Sequence, residues 1–362
     1  MKPTQKLHQD GQSLWLDNIT RDLLTSGTLQ SYIDDLGITG LTSNPTIFDN
    51  AFLTTDAYDA AIARAAGERR PEEEIFFDLA IEDLQSAADH FRPVWERTHG
   101  VDGWVSLEVS PRLAYDPEST IKAAIDLHAK ANRPNLFIKI PGTAEGLPAI
   151  EEAVFAGVPV NVTLLFSREH YLAAADAYMR GIERRVELAL DPFIGSVASV
   201  FVSRWDTAHE STDQPAELHN KLGIAMAKQT YKAYREVLDS NRWRRLVNEG
   251  ARPQRLLWAS TGTKDPEASD VLYVRALAAP FTVNTMPEKT LLAFGDHGEV
   301  GGLLPTDGGD AETVIGRFVA AGVDVDSVAA RLQQEAADAF VSSWDELITT
   351  IGEKSSSLVT AG

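Results

Sequence analysis

Short apolar runs alternate along the chain with longer segments whose apolar residues recur at helical spacing. Eight of these runs have the length of buried strands and cover residues 13–19, 40–46, 103–110, 135–142, 159–166, 196–203, 255–261 and 281–286. Amphipathic segments such as 117–132 and 145–157 lie between them, and the second ends at Gly157, a residue typical of helix C-termini. Eight strands that alternate with helices predict an α/β fold, and within that class a closed (β/α)8 barrel, or TIM barrel, rather than an open sheet.

The spacing of the predicted strands is uneven, which predicts helical insertions in the barrel. Long helical segments precede the third strand, at residues 56–99, and the seventh strand, at residues 214–250. Two more helical patterns follow residue 311. We therefore predict a catalytic barrel domain over residues 1–310 and a C-terminal helical extension over residues 311–362, which packs on the barrel and does not form a separate domain.

Polar residues lie toward the C-terminal end of nearly every predicted strand. They are Asp17, Thr42, Asn44, Glu108, Lys139, Asn161, Thr163, Ser199 and Ser260. Successive side chains on a strand point to opposite faces, so residues two positions apart share a face. In the fourth strand, Lys139 thus shares a face with Phe137 and Pro141. A barrel would direct this face toward its axis, near the end where barrel enzymes keep their active sites.

Three of these residues, Asp17, Glu108 and Lys139, carry ionisable groups within apolar runs. A buried charge is costly to desolvate unless it is paired or neutral. Each hydroxyl or amide residue taken alone is equally consistent with an ordinary core group that binds the backbone. Three ionisable groups pointing at one axis instead indicate an active site.

Composition narrows the classes of partner and chemistry. The chain has 33 basic and 53 acidic residues, and its net charge of −20 argues against DNA or RNA as a partner. It contains no cysteine, which excludes disulfide bonds, thiolate zinc sites and cysteine nucleophiles, and its eight histidines show no metal-ligand spacing. No apolar signal region or long apolar span is present, so we expect a soluble cytoplasmic protein with no membrane partner.

Seven segments, in order along the chain, carry a resemblance to a known family. They read "LWLDNI", "GLTSNPTIF", "SLEVSPRLA", "FIKIPGTAEGLPAI", "VNVTLLFS", "SVFVSRWD" and "WASTGTK". In these segments the chain resembles the transaldolases, the class I aldolases of the non-oxidative pentose phosphate pathway. The resemblance implies a (β/α)8 barrel, no metal or organic cofactor, and a lysine on the fourth strand that forms a Schiff base with the substrate, which is Lys139 here.

The resemblance also implies roles for the other polar residues. Asp17 matches the base that removes the proton from the C4 hydroxyl of the ketose. Glu108 and Thr163 match a pair that handles a water molecule while the carbinolamine forms and breaks down. The residues that match positions holding the hydroxyls of the dihydroxyacetone unit are Asn44 and Asn161, and those that match further pocket positions are Thr42, Ser199 and Phe201.

The phosphate end of the pocket departs from the family pattern. Arg204 matches the phosphate-binding arginine of the family, and Ser260 matches a serine at the end of the seventh strand. Many members carry a second arginine shortly after this serine, whereas this chain reads "STGTKDP". Lys264 is the nearest cation in sequence. It either binds phosphate as a point charge or is a solvated loop lysine, and the sequence leaves both alternatives open.

The reaction implied is transfer of a dihydroxyacetone unit from sedoheptulose 7-phosphate to glyceraldehyde 3-phosphate, giving erythrose 4-phosphate and fructose 6-phosphate. The nearest alternative is a fructose-6-phosphate aldolase-like enzyme that releases free dihydroxyacetone. Such relatives are shorter and carry tyrosine in place of the glutamate, so Glu108 and the 362-residue length favour transfer. A third alternative is an inactive barrel that binds sugar phosphates or a partner protein, against which the presence of Lys139 and Asp17 argues. We expect sugar-phosphate substrates and a monomer or homodimer.

Overall fold

The structure is a computed structural model of the chain and describes residues 1–208 and 216–360. It contains one sheet of eight parallel strands, in the regions where the sequence predicts them. The strands are β1 (Gln12–Asp17), β2 (Gly40–Thr42), β3 (Val105–Glu108), β4 (Leu136–Pro141), β5 (Val160–Leu165), β6 (Ser196–Phe201), β7 (Gln254–Ala259) and β8 (Thr282–Met286).

The sheet curls into a barrel. Its strand order is β2-β1-β8-β7-β6-β5-β4-β3, and the two end strands meet where the Leu41 N–H donates to the Trp104 carbonyl at 3.0 Å. This closure requires glycine at position 40, because a Cβ there would lie 2.6 Å from the Trp104 carbonyl oxygen. The prediction of a (β/α)8 barrel is therefore confirmed.

Helices connect the strands and cover the outside of the barrel. They are α1 (Pro3–Gln9), α2 (Arg21–Thr25), α3 (Thr28–Ser31), α4 (Pro45–Thr54), α5 (Asp59–Gly67), α6 (Glu72–Arg97), α7 (Pro117–Ala131), α8 (Gly146–Phe155), α9 (Arg168–Glu187), α10 (Ser203–Thr207), α11 (Leu222–Asp239), α12 (Asn241–Asn248), α13 (Leu272–Ala276), α14 (Glu288–His297), α15 (Ala311–Ala320) and α16 (Val325–Thr360). A π-helical turn covers Tyr32–Leu36, and 3-10 turns cover Pro111–Leu113 and Ala216–Leu218. The predicted insertions contain α5 and α6 and then α11 and α12, although residues 214 and 215 of the second lie outside the described residues.

Several strands are shorter than predicted because helices begin directly behind them. The predicted strand 40–46 ends at Thr42, since the Asn44 side chain accepts a hydrogen bond from the Ile47 N–H and Pro45 is the first residue of α4. Asn at the N-cap followed by Pro is a strong helix start. Likewise, the predicted strand 196–203 ends at Phe201, before α10.

The two faces of each strand contribute to two apolar layers, as the alternation in sequence predicts. Ile138 and Ile140 belong to the cluster between the strands and the helices. Phe137 lies inside the barrel, where its ring stacks on Trp104 with 4.1 Å between centroids and lies 6.1 Å from Trp15. These rings fill the barrel interior beneath the position of Lys139, two residues further along β4.

The C-terminal helices pack on the barrel. Helix α15 lies against α11, where Lys228 forms an ion pair with Asp310 at 2.7 Å. Helix α16 runs past the C-terminal ends of the strands, and its Gln333 side chain donates to the carbonyls of Gly142 and Leu164 at 3.1 and 2.9 Å. The division at residue 310 stays a prediction, and residues 361–362 of the proposed extension lie outside the described part of the chain.

Candidate active site

A cavity of about 340 Å³ lies at the C-terminal ends of the strands. All of the sequence-predicted site residues line it except Glu108 and Asn161, which lie directly behind its wall and bond to residues that do. The lining residues are Asp17, Thr42, Asn44, Thr46, Ile47, Lys139, Thr163, Ser199, Phe201, Arg204, Ala259, Ser260, Gly262, Lys264, Thr285, Pro287 and Phe340. The polar strand ends thus converge on one pocket.

Lys139 and Glu108 form a buried ion pair in this pocket. The register between β3 and β4 places them opposite each other, with 3.0 Å between Lys139 Nζ and Glu108 Oε2. Their side chains are only 8% and 4% exposed, and Nζ also donates to the Ser43 carbonyl at 3.3 Å. Burial raises the pKa of Glu108, although the charge and hydrogen bond of Lys139 oppose this. Glu108 is therefore suited to hold the proton that Lys139 must lose to act as a nucleophile.

Asp17 is held at the end of β1 by two hydroxyls. The Thr42 hydroxyl donates to Asp17 Oδ1 at 2.7 Å, and the hydroxyls of Thr42 and Thr285 lie 2.6 Å apart. Because Thr42 gives its hydrogen to Asp17, Thr285 donates to Thr42. Asp17 keeps part of its surface open to the cavity, yet burial raises its pKa against the effects of the Thr42 hydrogen bond and the Lys139 charge. A carboxyl with a raised pKa is better suited to take a proton from bound substrate and to return it.

Amide and hydroxyl side chains on β5 and β6 form a hydrogen-bonded row beside the lysine. The Ser199 hydroxyl donates to Asn161 Oδ1 at 2.7 Å, and Asn161 Nδ2 donates to the Ser106 hydroxyl at 3.2 Å. Across the pocket, Asn44 uses its Oδ1 to cap α4. These hydrogen bonds fix the orientation of the amide groups of Asn161 and Asn44.

Two polar atoms near Lys139 have no hydrogen-bond partner among the described residues. They are Glu108 Oε1 and Thr163 Oγ1, and both are buried. An unsatisfied buried polar atom typically costs about 1–3 kcal/mol, so such atoms are rare away from places that bind something. Glu108 and Thr163 are the two residues that, by the sequence resemblance, handle a water molecule while the carbinolamine forms and breaks down.

The backbone is strained beside this pair. Leu164, directly after Thr163, has a φ of +61°, and the register between β5 and β6 shifts between Val162 and Leu165. A positive φ is unfavourable for a residue with a branched side chain and is found mostly where function requires it. The bulge keeps Thr163 on the cavity wall at the end of the strand.

The opposite end of the cavity carries positive charge. Arg204 on α10 and Lys264 both line it, together with Ser260, whose hydroxyl lies 2.8 Å from that of Ser203. Burial lowers the pKa of the Arg204 guanidinium, and Glu335 of α16 opposes this shift. Arg204 lines the cavity, and no carboxylate among the described residues lies within salt-bridge distance of it. Gly262, which lies between Ser260 and Lys264 in sequence, also lines this cavity.

Sequence reasoning missed several lining residues. Thr285 follows the same rule as the others, since it shares the inner face of β8 with Val283 and lies near the C-terminal end of that strand. Phe340 of α16 gave no such signal, because its position depends on how a distant helix crosses the barrel mouth. Its ring centroid lies 5.5 Å from Lys139 Nζ. The C-terminal segment therefore reaches the active site.

Comparisons with known proteins agree with this geometry. The sequence model described as Transaldolase/Fructose-6-phosphate aldolase matches residues 14–351. A transaldolase of Saccharopolyspora erythraea is 45% identical over 356 residues, which cover 97% of each chain. A transaldolase of Thermobifida fusca is 45% identical over 97% of this chain and 98% of its own length, and one of Mycobacterium tuberculosis H37Rv is 46% identical over 93% of each chain.

No group of three or more His, Asp or Glu residues within 1–208 and 216–360 is arranged to hold a metal ion. No helix in the same ranges combines the length and the hydropathy needed to cross a membrane. The barrel, the buried lysine and the full-length similarity lead to one conclusion: the chain belongs to the transaldolase/fructose-6-phosphate aldolase family.

Proposed function

We propose that the chain is a transaldolase that moves a dihydroxyacetone unit from sedoheptulose 7-phosphate to glyceraldehyde 3-phosphate through a Schiff base on Lys139. The observation that carries this proposal is the buried ion pair between Lys139 and Glu108, which lies at the cavity with Asp17 nearby. Buried ionisable groups at a cavity are typical of catalytic sites, because their burial costs desolvation free energy and does not improve the packing of the core. The full-length relatives named transaldolase support the same reaction.

The first half of the reaction attaches the ketose. Glu108 takes a proton from Lys139, and the neutral amine attacks the ketone carbon to form a carbinolamine. Loss of water from the carbinolamine gives an iminium ion. Glu108 and Thr163 are suited to hold this water, because Glu108 Oε1 and Thr163 Oγ1 are buried without protein partners among the described residues.

The second half breaks and remakes a carbon–carbon bond. Asp17 takes the proton of the C4 hydroxyl, the C3–C4 bond breaks, and its electron pair moves into the iminium to give an enamine. The aldehyde product leaves and the acceptor aldehyde takes its place. The enamine carbon then attacks the acceptor, whose oxygen receives the proton from Asp17. Hydrolysis of the new iminium frees the ketose and the amine.

The polar residues around the cavity account for substrate binding in this proposal. Asn44 and Asn161 hold the hydroxyls of the dihydroxyacetone unit, and Thr42, Ser199 and Phe201 form further positions of its pocket. Arg204 binds the phosphate at the other end, because its planar guanidinium can donate to two phosphate oxygens at once. Lys264 and Ser260 lie at the same end of the cavity and complete the phosphate site.

Acceptor dependence distinguishes the proposal from release of free dihydroxyacetone. We expect fructose 6-phosphate with erythrose 4-phosphate to give sedoheptulose 7-phosphate and glyceraldehyde 3-phosphate at a rate far above the rate of free dihydroxyacetone formation. Both products are quantified by mass spectrometry in the same sample. Rapid release of free dihydroxyacetone with fructose 6-phosphate alone would support the aldolase alternative.

A further inference from the structure

Helix α16 carries an aromatic ring to the reactive nitrogen. We propose that Phe340 shields the Lys139-bound enamine from water and so keeps the enzyme committed to transfer. This inference rests on the proposed function and adds to it a residue from outside the barrel. The Phe340 side chain lines the cavity, is 9% exposed, and has its ring centroid 5.5 Å from Lys139 Nζ.

The ring is held in place because α16 is bonded to several parts of the barrel mouth. Gln333, two turns before Phe340, donates to the carbonyls of Gly142 and Leu164, which lie at the ends of β4 and β5. Ser343 accepts a hydrogen bond from the Thr46 hydroxyl at 2.9 Å. On the other side, Arg112 pairs with Asp345 at 2.6 Å. Contacts both before and after Phe340 thus fix its distance from Lys139.

The enamine can react in two ways, and the access of water to its nucleophilic carbon determines which reaction occurs. In transfer, its nucleophilic carbon bonds to the acceptor aldehyde, and the aldehyde oxygen takes the proton from Asp17. In the competing reaction, the same carbon takes a proton from water to give an iminium ion. The hydroxide left by this step then adds to the iminium, the C–N bond breaks, and free dihydroxyacetone leaves as the amine is restored. An enzyme that waits for its acceptor must therefore keep water away from this carbon.

A phenyl ring suits this task for two reasons. It offers no hydrogen-bond donor or acceptor, so it holds no ordered water on the side of Lys139 that it covers, away from Glu108 and Thr163. Its π face also stabilises the positive charge of the iminium ion that precedes the enamine, since cations are attracted to aromatic faces within about 6 Å of the centroid. Phe340 differs in both respects from the polar residues that form most of the wall around Lys139.

Truncation of the ring tests the inference. For Phe340→Ala we expect the ratio of free dihydroxyacetone to transfer product to rise at least about tenfold, with fructose 6-phosphate as donor and erythrose 4-phosphate as acceptor. Phe340→Leu keeps apolar volume and should show a smaller rise. Ile351→Ala is the matched control, because Ile351 is fully buried on the same helix but does not line the cavity. Its ratio should equal that of the wild type.

A second variant tests the same ratio without touching the ring. Gln333→Glu is isosteric, but a carboxylate cannot donate to the carbonyls of Gly142 and Leu164 and repels them, so α16 should move away from the mouth. We expect the ratio to rise here as well. An unchanged ratio in Phe340→Ala, in a wild type that transfers, would overturn the role of Phe340 alone. A wild type that forms no transfer product would instead overturn the proposed function.

Discussion

In the proposed mechanism, two carboxyl groups near one lysine take up and return the protons. Burial raises the pKa of both Glu108 and Asp17, and the positive charge of Lys139 opposes the rise in each case. Only Glu108 bonds directly to the amine, whereas Asp17 is bonded to the Thr42 hydroxyl. This difference matches a division of labour in which Glu108 serves the C–N bond and Asp17 serves the C–C bond.

Replacement of Asp17 by Asn tests this division. The amide keeps the shape and can still bond to Thr42, but it cannot accept a proton. We expect Asp17→Asn to form the Schiff base with fructose 6-phosphate, while kcat falls by at least roughly 10²-fold. Reductive trapping and steady-state kinetics on the same preparation separate the two steps. A variant that forms no adduct would contradict the role assigned to Asp17.

The same variant has a predicted effect on stability. The pKa of Asp17 in the folded state is raised above its ordinary value of 3.8. Between pH 3.8 and this higher pKa, the native state therefore binds more protons than the unfolded chain. Stability is therefore lost as the pH rises through this window and stays lower above it. Asp17→Asn avoids this loss, so its melting temperature should exceed that of the wild type by a few degrees at pH 7, and the difference should shrink below pH 4. A gain that is equal at both pH values would contradict the electrostatic explanation.

At the scale of elements, the segments after β6 and β7 form the end of the cavity that we propose binds phosphate. Arg204 is the second residue of the short helix α10, which follows β6, and Lys264 lies in the segment that follows β7. Helix α16 adds Glu335, whose charge acts on Arg204. Three elements that are distant in sequence thus set the charge at this end.

Alanine variants of the two cations distinguish their roles. A charge-assisted bond typically contributes about 1.5–3 kcal/mol, so Arg204→Ala should lower kcat/KM for fructose 6-phosphate by about 10- to 100-fold, mainly through KM. Lys264→Ala should have a smaller effect, because an ammonium group is a point charge. Unphosphorylated fructose is the control substrate, and its kcat/KM should change little in either variant. Equal losses for both sugars would mean that these residues support the barrel and do not bind phosphate.

An element could be predicted where the neighbouring residues in the sequence determine it. All eight strands could be predicted, because each is a short apolar run between helical patterns. Their ends could not, since Asn44 and Ser203 continue the strand pattern although they belong to helix starts. The polar residues at the C-terminal ends of the predicted strands include most of the residues that line the cavity. The position of Phe340 depends instead on tertiary packing, which no local sequence pattern encodes.

At the scale of the whole molecule, the site exists only because the sheet closes. Closure brings β2 against the segment before β3, and so places Thr42 on the cavity wall and Glu108 directly behind that wall. A tight contact at this closure is Gly40, where an added Cβ would lie 2.6 Å from the Trp104 carbonyl oxygen and 2.8 Å from the Trp15 ring. Neither the carbonyl nor the stacked ring can move without opening the barrel.

Gly40→Ala should therefore destabilise the fold by about 1–3 kcal/mol, the usual cost of an extra methyl group in a packed interior. Urea unfolding gives the free energy of unfolding directly. The matched control is Gly316→Ala on α15, where an added Cβ meets nothing within 4 Å and alanine favours the helix. This control should be neutral or stabilising. Equal stability of both variants would contradict the account of how the barrel closes.

The central claim is that Lys139 forms the Schiff base, and reductive trapping tests it most directly. The protein is incubated with fructose 6-phosphate and borohydride, digested, and mapped by mass spectrometry. We predict one dihydroxyacetone-derived adduct, on the peptide that contains Lys139, and none in Lys139→Ala. An adduct on another lysine, such as Lys130 or Lys264, or an adduct that persists in Lys139→Ala, would contradict the account.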